Sequence, residues 1–240
     1  FFPGLFSDRA GAYANLVGEK TARRAMALWY EQAIMKARTC ELAQEYQNKD
    51  LNLGESAMKS PNKELFLEHL NYYDCSKVSD GAASILVCSE EGLKMNGISQ
   101  SETIELKGFK LGSRNIRKPP KDLARFSNMT AIAQTLLQDV GIKNDRLDVL
   151  ELHDCFSISG LLSLEAMGYA KQGEAIGLLE GGFGVDNGPR FNSTGGLIGY
   201  GHPVGATGVR QLVDLWEQLK DVGDSLGLML NMGGDDVTCA

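Results

Sequence analysis

Leu147-Asp148-Val149-Leu150-Glu151-Leu152-His153-Asp154-Cys155-Phe156 carries an apolar run straight into an imidazole, a carboxylate and a thiol. Residues 147–152 read as a strand, and the apolar spacing of Ile158, Leu161, Leu162 and Met167 predicts a helix over 157–167. A strand that gives way at once to a helix is the unit of an α/β fold. In open α/β sheets ligands bind at the carboxyl ends of strands, beside exposed helix N-termini. Cys155 is therefore expected at the positive end of a helix dipole, which would lower its pKa and favour the thiolate.

Two further strings lie downstream. Gly201-His202-Pro203 sits in a glycine-dense loop, Gly173 to Gly201, that leads into a helix over 207–220. Glycines at 195, 196, 199, 201, 205 and 208 imply close backbone approach. Gly199 to Gly205 also has the spacing of a nicotinamide-dinucleotide loop, but the polar residues before it are not the buried strand that such a loop must follow. Asn231-Met232-Gly233-Gly234 follows a strand read at 226–230, where a glycine turn can aim an amide N–H at a bound oxygen.

The rest of the chain is read more coarsely. Residues 20–46 read as a helix whose stripe of Ala22, Met26, Trp29, Ala33 and Ala37 is core packing. A polar excursion spans 48–62, and Ser79-Asp80-Gly81 marks a turn. Ala82 to Cys88 is expected to be a buried strand, Thr103 to Leu111 a second strand, and Val237 to Ala240 the start of another. A helix is predicted over 128–140 with Asn128 as its cap. Arg114, Arg117, Lys118 and Lys121 form the densest basic cluster, either a solvated loop or a phosphate contact. A boundary near 98–104 would divide an incomplete first portion, 1–102, from a compact α/β unit, 103–240.

A net charge of −7 with no Lys/Arg-rich face argues against nucleic acid. No apolar run reaches the roughly 18 residues of a membrane span. Five cysteines without regular spacing suggest neither a disulfide framework nor a metal site, so reduced thiols in an intracellular compartment are expected. The opening Phe1-Phe2-Pro3-Gly4 lacks an initiator Met and a signal pattern, so a processed product, a fragment or a chain trimmed to its ordered residues is expected.

His153-Asp154-Cys155-Phe156, Asn192-Ser193-Thr194-Gly195-Gly196, Gly201-His202-Pro203-Val204-Gly205-Ala206-Thr207-Gly208, Gly233-Gly234 and Ser79-Asp80-Gly81-Ala82-Ala83 resemble segments of thiolases. The likeness is to the C-terminal portion of the sterol-carrier-protein type and the related archaeal acetoacetyl-CoA thiolases. It implies a layered α/β fold of two βαβαβ halves, of which this chain would hold the end of the first and the whole second. It implies a 3-ketoacyl-CoA or acetyl-CoA substrate, coenzyme A as a substrate, no tightly bound cofactor, no metal, and a homodimer. An intracellular site follows, with cytosol, mitochondrion and a peroxisome-like organelle all open. In that picture His202 activates the nucleophile and serves one oxyanion hole, assisted by His153. Cys155 is the acid/base, and the Gly233 amide serves the second hole. Arg114, Arg117 and Lys118 are candidates for coenzyme A contact. Many thiolases carry the acid/base cysteine at the position of Asn231 instead. The family's nucleophilic cysteine lies on a Ser/Gly-rich strand-to-helix turn, a context none of the five cysteines has. A non-catalytic thiolase-like protein that binds acyl-CoA, or a scaffold, is the other reading. Asp235-Asp236 also departs from the family pattern.

Overall fold

The computed structural model describes residues 1–64 and 66–239. Two helices open the chain, α1 (Phe2–Val17) and α2 (Glu19–Ala37), hinged at Gly18 with φ of 92°. They are followed by α3 (Leu53–Ala57), α4 (Glu90–Met95), β1 (Gly112–Ser113), α5 (Ser127–Asp139), β2 (Val149–Glu151) and α6 (Ser157–Ala166). Then come α7 (Ala175–Glu180), β3 (Arg190–Phe191), α8 (Gly196–Gly199), α9 (Thr207–Leu219), β4 (Gly227–Met229), β5 (Met232–Gly233) and β6 (Thr238–Cys239).

The main sheet has the order β3-β2-β4, with both pairings parallel. β2 lies between the other two and all three of its residues are buried. A parallel strand covered on both faces is mostly apolar; Val149 and Leu150 follow that pattern, and the buried Glu151 departs from it. A second, antiparallel sheet has the order β1-β6-β5. The helix α2 is the scaffold beneath the main sheet's carboxyl end. Its buried stripe of Ala22, Met26, Trp29, Ala33 and Ala37 is the core face predicted from spacing. Small residues on that stripe matter: a Cβ on Gly199 would come within 2.6 Å of the Ala33 carbonyl oxygen, and one on Gly195 within 2.7 Å of the Ala37 Cβ. Only glycines let α8 lie so close to α2.

Several expectations are corrected. The helix expected over 20–46 ends at Ala37, and Cys40 lies in the turns beyond it. α1 is a helix that periodicity did not single out. Ala82–Cys88 forms no ladder among the described residues, and Ile85, Leu86 and Val87 are exposed. Thr103–Leu111 is likewise extended chain without a ladder, which begins only at Gly112. Both runs have strand-like side chains, but a strand needs neighbours for its backbone groups. Asn128 is not the cap of α5, whose N-cap is Phe126. The carboxylate of Asp236 caps that helix from a distance, accepting the Asn128 and Met129 backbone N–H groups at 2.9 Å each. Asp235 pairs with the fully buried Arg9 of α1. The Asp235-Asp236 carboxylates are therefore structural. The last predicted strand is present as Thr238–Cys239, and Ala240 lies outside the described residues.

Candidate active site

The carboxyl end of β2 delivers His153, Asp154 and Cys155 to one turn at the start of α6. Asn192, in the left-handed region at φ of 45°, continues the β3–β2 pairing with its side chain. Its Oδ1 accepts the Leu152 N–H at 2.6 Å, and its Nδ2 donates to the Leu152 carbonyl at 3.2 Å. Asp154 is fully buried. It accepts the Trp29 indole N–H at 3.0 Å and the Leu197 backbone N–H at 2.6 Å, tying the turn to α2 and α8. A Cβ on Gly196 would come within 2.5 Å of that carboxylate. Burial raises Asp154 to about 6, against the pull of those two donors.

α8 leads through Gly201 to His202. The His202 backbone N–H donates to Ser79 Oγ at 3.0 Å, and Ser79 Oγ donates to Gln44 Oε1 at 2.8 Å. The Ser79-Asp80-Gly81 segment, which forms no hydrogen-bonded turn, braces the histidine loop: a Cβ on Gly81 would come within 2.9 Å of the Pro203 ring. The imidazoles of His153 and His202 meet edge to face, with ring centroids 5.2 Å apart. Two strings far apart in sequence thus bring their imidazoles together. His202 Nδ1 lies 2.8 Å from Thr207 Oγ1, in the first turn of α9. His153 Nδ1 lies 2.9 Å from Asn231 Oδ1. Burial lowers His153 to about 3, with His202 beside it as the second cause. His202 falls to about 4 through burial and the nearby Arg210. Both imidazoles are neutral at pH 7.

Cys155 departs from expectation. Burial pushes its thiol up, against weaker opposing pulls from Ser159 and the Phe156 backbone. Its sulfur lies 3.8 Å from Ser159 Oγ, and no hydrogen bond joins it to either imidazole among the described residues. Desolvation of a thiolate outweighs the helix end, so the thiolate expected from sequence is not the resting form. Gly233 is exposed, in β5 two residues beyond Asn231, where it pairs with Thr238. Arg114 is spent on structure: its guanidinium donates to the carbonyls of Asp236, Lys118 and Asp235 at 3.1, 2.9 and 2.7 Å. That removes it as a free phosphate contact, while Arg117 and Lys118 are exposed.

Composition and periodicity did not mark Thr207, Ser79 or Trp29 as supports of the site. Thr207 and Ser79 stood inside quoted strings, but their partners are long-range and invisible to spacing.

Residues 113–225 match the thiolase C-terminal domain-like family. An acetyl-CoA acetyltransferase of Methanocaldococcus jannaschii is 32% identical over 181 residues, covering 70% of this chain and 46% of that protein. Sterol carrier protein 2 of Oryctolagus cuniculus is 33% identical over 177 residues, covering 72% of this chain and 31% of that protein. A monomeric SCP2-thiolase-like protein of Mycobacterium smegmatis superposes over the whole chain and 50% of its own, with a TM-score of 0.75 at 15% identity. The chain spans about half the length, or less, of the relatives it matches. Its fold is the layered α/β fold of these proteins.

Proposed function

We propose that this chain, which belongs to the thiolase family, supplies the proton-transfer and oxyanion groups of a thiolase-type acyl transfer on acyl-coenzyme A thioesters, in which a 3-ketoacyl-CoA is cleaved with coenzyme A or formed by the reverse condensation, and the nucleophilic cysteine is not among the five of this sequence. The observation that carries this reading is the meeting of two neutral imidazoles at the carboxyl end of the main sheet. A neutral His202 can take the proton of an attacking thiol. As imidazolium it then donates to the thioester oxygen as negative charge develops there. The candidate set is His202, His153, Cys155 and the Gly233 amide. Two of these groups can carry a proton to and from carbon, the Cys155 thiol and the His153 imidazole. Arg117 and Lys118 are the exposed cations offered to coenzyme A phosphates. The division into 1–102, the end of an N-terminal half, and 103–240, a C-terminal domain, goes with this reading, as does a homodimer in an intracellular compartment.

The test is binding of acetyl-CoA by titration calorimetry, followed by exchange of its methyl protons in heavy water. Saturable binding with exchange is expected, and His202→Ala is expected to lower exchange by about 100-fold. Folded protein that neither binds nor exchanges would overturn the proposal.

A second reading is favoured by one observation: among the described residues no cysteine is hydrogen-bonded to an imidazole. A covalent cycle needs an activated nucleophile beside its base. A non-catalytic acyl-CoA-binding protein would bind acetyl-CoA and leave its methyl protons unexchanged.

A further inference from the structure

Arg210 lies in α9, one turn beyond Thr207, and is only 5% exposed. Its Nη1 pairs with Asp214 and donates to Thr194 Oγ1 at 3.3 Å. Its guanidinium carbon stands 4.4 Å from the centroid of the Tyr200 ring, two residues before His202. One arm of the fork is spent on an ion pair, and its flat face on an aromatic ring. Nε and Nη2 are buried without a partner among the described residues. A guanidinium kept only for its ion pair would turn both arms to the carboxylate, as Arg23 does to Asp74. Arg210 instead leaves half its donors unspent, and its charge acts at short range through a poorly screened interior.

His202 is held on the same face of α9. Thr207 Oγ1 lies 2.8 Å from His202 Nδ1, and residues three apart on a helix are neighbours. The other charged or titratable groups round the ring are engaged elsewhere or neutral. On the turn after β2, His153 is a neutral imidazole, Asp154 accepts from Trp29 and Leu197, and Cys155 stays protonated. On the segment through Ser79, Lys77 donates to the Tyr72 and Cys75 carbonyls at 2.8 and 2.9 Å, and Asp80 is exposed. Beyond α2, Glu45 accepts the Asn48 amide at 2.8 Å, and Cys40 is a free thiol. Asn231, beyond β4, carries no charge. Burial raises the Tyr200 phenol, which stays neutral, and it raises the carboxyl of Asp214, the one anion paired with Arg210 among the described residues. Glu151 is protonated at pH 7, since burial lifts it to about 8. Arg210 is left as the fixed charge that bears on His202.

We propose that Arg210 is a positioning residue for His202, a buried cation that keeps the imidazole neutral and so sets the acid limit of the site's working range. This rests on the acyl-CoA reading of the same site. A base must be neutral to take a thiol proton, so activity falls as pH falls through the titration of the imidazole. A neighbouring cation opposes a second positive charge and moves that limit to lower pH. Burial is the larger cause and Arg210 the second, and together they bring His202 to about 4. The same repulsion makes the imidazolium, once formed, a readier donor to a thioester oxygen that gathers negative charge. Arg210 exchanges no proton itself and acts through His202.

The experiment is a pH titration of the imidazole nitrogens by NMR on the 240-residue chain, with His202 assigned by its loss in His202→Ala. It is run beside the pH profile of acetyl-CoA methyl-proton exchange. At pH 5 wild-type His202 is expected to be about nine-tenths neutral and that of Arg210→Met about half neutral, a rise of about one pH unit in the midpoint. The acid limb of exchange is expected to move up by about the same amount. Arg210→Lys, which keeps the charge and gives up the planar fork, is expected to hold both near wild type. Asp214→Asn leaves the cation uncompensated and is expected to keep His202 at least as neutral as in the wild type. An Arg210→Met midpoint equal to that of the wild type overturns the proposal. Equal rises in the Lys and Met variants also overturn it, since they mark lost packing on Tyr200 and not lost charge. So does a rise in Asp214→Asn, which decides the matter should Arg210→Met not fold. If the titrations follow expectation while the wild-type chain exchanges no methyl protons, the acyl-CoA reading falls and Arg210's hold on His202 stands.

Discussion

Val149–Leu152 and Ala82–Cys88 are both short runs rich in apolar residues, and they end in opposite environments. The first is buried throughout, with Val149 and Leu150 wholly removed from solvent. The second leaves Leu86 at 93% and Val87 at 76% exposure. Side-chain character does not separate them. Backbone partners do: β2 has a parallel neighbour on each side, while 82–88 has no ladder among the described residues. A strand is a relation between segments, since each N–H and C=O must find a partner before apolar side chains can be buried on either side. The functional strings follow the same divide. His153 hangs from the strand that is paired twice, and its position is fixed accordingly.

The comparison is tested most severely by Leu150→Ala. Truncating a wholly buried side chain at the centre of the main sheet is expected to cost about 2–5 kcal/mol, read as a lower midpoint in urea unfolding. A loss under roughly 1 kcal/mol would mean that the sheet interior is not the close-packed core described.

What could be read from sequence follows the range of the interactions. The helices at 127–139, 157–166 and 207–219 fall within a residue or two of expectation, because apolar spacing along one helix is local. The strand before His153 was legible for the same reason. The cap of α5 was not, because Asp236 reaches it from the far end of the chain. The convergence of His153 and His202 came through the family resemblance, and periodicity alone could not have given it. The chemical state of Cys155 was misread because a helix N-terminus is visible in sequence and burial is not. Asn231 was legible only as a place where a cysteine was missing. Its contact with His153 depends on Gly208, a residue whose reason is a 2.3 Å approach.

Burial of β2 also carries an electrostatic cost. Glu151 is wholly buried, and desolvation with Asp214 nearby raises its carboxyl to about 8, against the opposing Arg210 and Gln218. A carboxyl raised on folding gives its full contribution to stability below the unfolded value of about 4.5 and loses it as pH rises towards 8. In that window the folded chain holds a proton that the unfolded chain has released. Each pH unit therefore costs about 1.4 kcal/mol from this group. Glu151→Gln removes the titration and keeps the volume. The variant is expected to gain on the wild type by roughly 3 kcal/mol between pH 5 and pH 8, measured as the change in unfolding free energy. Parallel curves across that range would remove the claim that β2 buries an ionisable group. No such slope is expected from Ser84 or Ser89, the polar residues in and beside the exposed run, since neither titrates.

The smallest expected effect is the most discriminating for the exposed run. Leu86→Ser replaces a large apolar side chain in a stretch whose character alone argues for a buried strand. In this chain it is expected to change stability by no more than about 0.5 kcal/mol, since Leu86 surrenders almost no surface on folding. The same substitution should make the protein more soluble, because Leu86, Val87 and the nearby Val78 leave apolar surface beside an unpaired backbone. A loss comparable to that of Leu150→Ala would show that 82–88 is paired and buried in solution. The two runs would then be alike in structure as they are in sequence, and the difference drawn between them would vanish.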